Sequence, residues 1–213
     1  MKTEQELAAH IVAYLRDLDF EVYQEVSING GPVLDICGKR GPMLWAIECK
    51  TKLNQDVCAQ AVYWTQRAHM VSVATAQASR AFVLKDYLFM HGIGRITVQD
   101  YGENYPIRVE ERTRARFRRR VEGIELHEAQ KTYAKAGTNR GGYYSPFKAT
   151  CDALREFLKT SPNPTVREAA RAISHHYSSS SAAAGSLFTW AKAGRIPGVG
   201  VSKGRPLRFE ARA

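Results

Sequence analysis

Asp35 and, after twelve intervening residues, Glu48-Cys49-Lys50 have the types and spacing to do chemistry. Successive side chains on a strand alternate faces, so Glu48 and Lys50 on one strand share a face. Asp35, on the preceding strand of a Gly-bounded hairpin, can reach that face. Two neighbouring carboxylates can share a divalent cation. Mg2+ takes oxygen ligands and keeps several waters, so two carboxylates and a backbone carbonyl make an open site. Such a cation stabilises charge on a phosphodiester and helps generate hydroxide. A lysine beside it can position the attacking water or help deprotonate it. The bland alternative is a surface ion pair between Glu48 and Lys50. The run Trp45-Ala46-Ile47 argues against it, because it marks a buried strand, and buried acids need partners or a task.

Around these residues the pattern predicts a definite order of elements. Leu7, Ile11, Leu15 and Leu18 mark one face of a helix over Thr3–Leu18, with Thr3 and Glu6 spaced as a capping box. Phe20–Ile28, Val33–Cys37 and Met43–Lys50 read as strands, the last mostly apolar and therefore central. Asn54 or Asp56 can cap a helix running to about Met70. Val71–Ala74, Ala81–Leu84, Arg95–Val98 and Ile107–Val109 are further strand candidates. The order helix, strand, strand, strand, helix, strand predicts an α/β domain with one mixed sheet between helices.

On these residues and this order, residues 3–90 resemble the PD-(D/E)XK nuclease superfamily. Asp35 matches the first acid and Glu48-Cys49-Lys50 the (D/E)XK element; Pro32 does not directly precede Asp35, so the "PD" pair is not literal. The resemblance implies a restriction-endonuclease-like fold and Mg2+ or Mn2+ dependence. Asp35, Glu48 and the Cys49 carbonyl would lie near the metal, and Lys50 would be the catalytic lysine. Gln60, with Ala61 and Trp64, resembles a helix glutamine of several branches and could orient a phosphate. Members also use a further glutamate. Glu4, Glu6 and Glu25 compete for that place, and Glu25 is favoured because it lies opposite the apolar Val22–Val26 face.

Charge separates the two halves of the 213-residue chain. Residues 1–110 net −2, whereas 111–213 net +12. Such asymmetry suggests a phosphate-backbone partner for the second half. Six arginines, Arg112, Arg114, Arg116, Arg118, Arg119 and Arg120, fall within nine positions. Residues 111–142 read as a basic linker with a helix near Glu125–Ala136 and a Gly-rich end. Residues 143–213 read as a separate, mainly helical module: Ser145–Thr160, Val166–Ile173 and Ala182–Ala193 as helices, then a hairpin around Lys203-Gly204. Three helices and a terminal hairpin resemble a winged helix-turn-helix. The resemblance places Ser178, Ser179, Ser180 and Ser181 at the start of the groove-entering helix, with Lys203 and Arg205 on the wing. Arg167, Arg171, Lys192 and Arg195 could reach the backbone. Tyr143-Tyr144 with Arg140 could stack on bases or pack the linker, and His175-His176 reads as a turn.

No apolar run approaches the roughly 20 residues of a membrane span, and the acidic start lacks a secretory apolar core, so a cytoplasmic protein is expected. The four scattered cysteines form no CxxC pair, which argues against zinc or redox motifs. The expected function is a metal-dependent DNA nuclease, an endonuclease, whose winged helix binds DNA; RNA stays open as substrate. A structure-specific resolvase acting as a homodimer is a variant of it. The alternative is a catalytically inactive nuclease-like protein that binds DNA or a partner. Fold alone does not choose between them.

Overall fold

The computed structural model describes residues 3–28, 31–76, 81–102, 105–137, 143–202 and 204–211. The chain divides into two compact units, Met1–Tyr144 and Ser145–Ala213.

The first unit is an α/β layer structure. It contains α1 (Glu4–Asp17), β1 (Glu21–Ser27), β2 (Val33–Arg40), β3 (Met43–Lys50), α2 (Gln55–Trp64), β4 (Met70–Thr75), α3 (Phe82–Met90), β5 (Gly94–Gln99) and β6 (Arg108–Thr113). The strands form one mixed sheet in the order β1-β2-β3-β4-β5-β6. Pairing is antiparallel except for β3–β4 and β4–β5, which are parallel. Leu7, Ile11 and Leu15 of α1 bury one face of the sheet with Ile36, Ile47 and Ile96. Val57, Ala61 and Trp64 of α2 and Leu88 of α3 bury the other with Ala46, Val71 and Val73.

Local signals account for the frame. The Thr3–Glu6 capping box opens α1, and Asn54 accepts from Val57 N–H to open α2. The β2–β3 hairpin turns on Gly41-Pro42, with Gly41 at φ 56°, so β2 runs on through Gly38-Lys39-Arg40 rather than ending at Cys37. Residues Ala81–Leu84 are not a strand. Parallel strands need a crossover connection, and α3 supplies it between β4 and β5.

Residues 111–137 are not a linker. Glu111–Thr113 complete β6 against β5. Residues 114–122 then cross the N-terminal ends of β5 and β4, with Arg116 N–H donating to Gly92, Arg118 N–H to His69 and Glu122 N–H to Gln66. Ile124 enters the α2-side core and Ala136 the α1-side core. The helix expected near Glu125–Ala136 is a single 3-10 turn, Glu128–Lys131, lying against β1. The sequence boundary at 110 therefore cuts β6, and the units divide after Tyr144.

The second unit has α4 (Pro146–Thr160), α5 (Val166–Ala172), α6 (Ser180–Lys192) and a hairpin of β7 (Val199–Val201) and β8 (Phe209–Ala211). Ser145, Thr165 and Ser179 cap the three helices. Leu154, Leu158, Ala169, Leu187 and Phe209 form its core. Thr165 also bridges to Arg208, which ties the start of α5 to the hairpin.

Candidate active site

The sheet register brings the acids together. Gln24 pairs with Ile36 and Val26 with Leu34, so Glu25 lies opposite Asp35. Ile36 pairs with Ile47, and one step further along the same register Asp35 faces Glu48. Three carboxylates thus occupy one row across β1, β2 and β3. β3 is buried throughout except at its two ends, and Glu48 is only 2% exposed.

Each carboxylate has a fixed donor. Trp64 Nε1 of α2 donates to Glu48 Oε1 at 2.5 Å. The backbone N–H of Cys49 donates to Asp35 Oδ2 at 2.7 Å. Asp35 and Glu48 also hydrogen-bond to each other through their carboxyl groups. Burial first, then the Asp35 charge, hold the Glu48 carboxyl well above the usual range; Asp35 is raised chiefly by burial, opposed by the Cys49 N–H. Two carboxylates this close are costly to ionise together.

Two more glutamates border the pair. Glu4, in the first turn of α1, forms an ion pair with Lys50 Nζ at 2.9 Å, and this contact raises the Lys50 pKa. Its charge also acts on Asp35. Glu25 accepts from Gly137 N–H at 2.9 Å and adopts a left-handed φ of 50°, rare for a residue with a side chain. Gly137 has φ 75°, and a Cβ there would stand 2.7 Å from Gln5 N and Glu4 C. No larger residue fits between the start of α1 and Glu25.

Of the residues expected at the site, Asp35, Glu48 and Lys50 share one end of β2 and β3, with Glu25 in the same row. Cys49 contributes its N–H to Asp35, and its thiol is buried among apolar neighbours. Gln60 is exposed on α2 and makes no side-chain hydrogen bond among the described residues; Trp64, one turn later, is the α2 residue that meets Glu48. Glu6 is spent on the α1 cap with Thr3. The sequence places Trp64 beside Gln60 in the family-like helix without assigning it a role. The available signal was its spacing from Val57 and Ala61, which puts its indole on the face turned to β3. The Glu4–Lys50 pair spans 46 positions, and no local pattern announces it.

The donor set is all oxygen at close quarters. Among the described residues no group of three His, Cys, Asp or Glu side chains is arranged to hold a metal ion. The side chains therefore offer two ligands, Asp35 and Glu48. Backbone and water would supply the rest, as Mg2+ or Mn2+ accepts. A cation between Asp35 and Glu48 would relieve the repulsion of two close carboxylates, so the donor set fits the group.

In the second unit the expected contacts separate. Ser181 of α6, Arg167 of α5 and Arg205 of the hairpin line one cleft of about 1040 Å3, together with Gly185 and Phe188. Ser179 is the α6 cap and accepts from Ala182 N–H, and Ser180 begins the helix. Lys192 and Arg195 lie at the C-terminal end of α6, Lys192 over the ring of the cleft residue Phe188 and Arg195 over Trp190. Neither lines the cleft itself, although Lys192 borders it through Phe188. Lys203 and Arg140 lie outside the described residues. Tyr144 packs on His127 and Tyr133, and its carbonyl accepts from Ser27 Oγ. His176 Nδ1 is hydrogen-bonded to Thr150 Oγ1 at 2.8 Å. Residues 145–213 net +7, so part of the positive charge read in the second half belongs to the first unit.

No family model matches the chain, and no curated protein matches it. Among solved structures it is similar to a protein of unknown function from Silicibacter pomeroyi. The identity is 20%, with 62% of this chain and 80% of that chain covered, and the TM-score is 0.42. Among the described residues no helix is long and apolar enough to cross a membrane.

Proposed function

We propose that the chain is a metal-dependent nuclease of the PD-(D/E)XK type that hydrolyses phosphodiester bonds in DNA. The observation that carries this reading is the contact between Asp35 and Glu48 on adjacent strands, with Lys50 two residues beyond Glu48 on the same face. Asp35 and Glu48 would hold Mg2+ or Mn2+, with the Cys49 carbonyl as a backbone ligand. When bound, the cation neutralises phosphate charge and acidifies a water. Trp64 and the Cys49 N–H fix the two carboxylates, so the site is ordered before the ion arrives. Lys50, steered by Glu4, orients the attacking water and steadies the developing charge. Glu25 is a bordering acid that adds negative potential rather than a ligand.

The second unit is read as a winged helix that holds DNA. Arg167, Ser181 and Arg205 around the cleft meet backbone phosphates, and α6 is the groove-entering helix. One observation favours the second reading, an inactive scaffold: Lys50 is engaged by Glu4 rather than by the Asp35–Glu48 pair.

The test is a cleavage assay on supercoiled plasmid, linear duplex, single strands and a four-way junction. Each is incubated with Mg2+, Mn2+ or EDTA, beside Glu48→Gln. Metal-dependent cutting by the wild type alone supports the nuclease. Salt-sensitive binding with no cutting on any substrate moves the reading to the scaffold.

A further inference from the structure

The row of residues that holds the acids continues across the sheet. Glu48 pairs with Val73, Val73 with Arg95, and Arg95 with Thr113. The next row runs Lys50, Thr75, Thr97 and Glu110. Paired residues on neighbouring strands share a face, so Arg95 and Thr97 stand on the face of Glu48 and Lys50. Arg112 joins them, its Nε donating to Thr97 Oγ1 at 3.2 Å. Two guanidinium groups therefore lie side by side at the β5–β6 edge.

Their pairing is incomplete. Arg112 has an ion pair with Glu110 at 2.9 Å. Arg95 is half-buried, donates from Nη2 to Thr113 Oγ1 at 3.1 Å, and has no carboxylate partner among the described residues. Burial, and then the Arg112 charge, lower its pKa. A half-buried cation beside a like charge, held by hydroxyls that neutralise nothing, is costly without an anion. The fork of a guanidinium matches phosphate oxygens two at a time. Arg95 is two strand spacings from Glu48, about 10 Å. An anion there is too far away to be the group at the carboxylates.

We propose that Arg95 and Arg112 hold a backbone phosphate of the substrate strand beside the linkage placed at Asp35 and Glu48. The substrate is then a polynucleotide that spans at least two phosphates, not a mononucleotide. The identity of the anion rests on the nuclease reading; the anion site itself rests on the two arginines.

The experiment measures binding of a labelled duplex oligonucleotide in EDTA over a salt series. It compares wild type, Arg95→Gln and Arg112→Gln, with Arg16→Gln, exposed near the end of α1, as a control for net charge. Melting curves check folding, and the exposed Arg112 keeps the test valid if Arg95→Gln does not fold. Each variant is expected to bind about tenfold more weakly. The log–log salt slope should shrink by about 1. Single methylphosphonate linkages, scanned along the strand, should include one whose neutralisation weakens wild type but not Arg112→Gln. Binding of both variants equal to that of Arg16→Gln, at all salts and linkages, overturns the site. The readout needs no cleavage, so an inactive enzyme with impaired Arg112→Gln binding sinks only the nuclease reading.

Discussion

The carboxylate end of the first unit and the cleft of the second unit handle charge in opposite ways. At the first, Glu4, Glu25, Asp35 and Glu48 converge, one of them 2% exposed, with Lys50 as the basic member. At the second, Arg167 and Arg205 face open space beside a serine-rich helix start, and the unit nets +7. Crowded buried acids hold a proton or a cation; exposed arginines wait for an anion. The first arrangement depends on tertiary packing, so single changes there should have large, all-or-none effects. The second depends on summed surface charge, so changes there should be graded and salt-sensitive.

The largest effect is expected at the acids. Glu48→Gln should reduce cleavage by at least about a hundredfold and leave duplex binding near wild type. A variant that cuts at the wild-type rate breaks the comparison at its first side. Next comes Trp64→Phe, which removes the donor to Glu48 Oε1 but keeps an aromatic ring. Loss of a group that orients a ligand should weaken Mn2+ binding about 10–100-fold. It should also cost about 1–3 kcal/mol of stability in thermal melts. Unchanged Mn2+ affinity would show that Trp64 only fills space.

A pH series sharpens the same side. Glu48 and Asp35 both have higher pKa values folded than unfolded, so folding takes up protons there. Their proton-linked stability is present at low pH and is lost as pH rises from the ordinary carboxylate range through the folded values. In EDTA the melting temperature should fall over that window, and Glu48→Gln should flatten the fall. Mn2+ should raise the melting temperature most at the upper end, where a cation replaces the proton. A wild-type profile without slope would deny the shared proton. The smallest effect is expected at the other side. Arg167→Gln or Arg205→Gln should weaken duplex binding a few-fold and reduce the salt slope by about 1 each, with stability unchanged. An unchanged slope would remove that arginine from the contact.

What the sequence revealed follows from the range of the forces involved. Asp35, Glu48 and Lys50 were legible because strand alternation and a two-residue turn are local rules. The order through β4, and the caps of α1 and α2, were legible for the same reason. Residues 111–137 were misread because Ile124, Gln130 and Ala136 are too sparse to form a period, yet each is buried against the first unit. The strand expected at Ala81–Leu84 reflects an apolar run whose helical state is set by the parallel β4–β5 pair. Gln60 was chosen over Trp64 by family likeness, where the rotation of α2 decides otherwise. Glu4 was one of three open choices, and its contact with Lys50 exists only once α1 packs on the sheet. The Arg95–Arg112 pair needed the register of four strands.

The most direct test of the central claim is a calorimetric titration of the metal-free protein with Mn2+ in buffers of different ionisation enthalpy. Asp35 and Glu48 should bind the ion with release of the shared proton, seen as a buffer-dependent heat. Asp35→Asn and Glu48→Gln should each lose that binding. No Mn2+ binding by the wild type, or binding unaltered in both variants, would contradict the account.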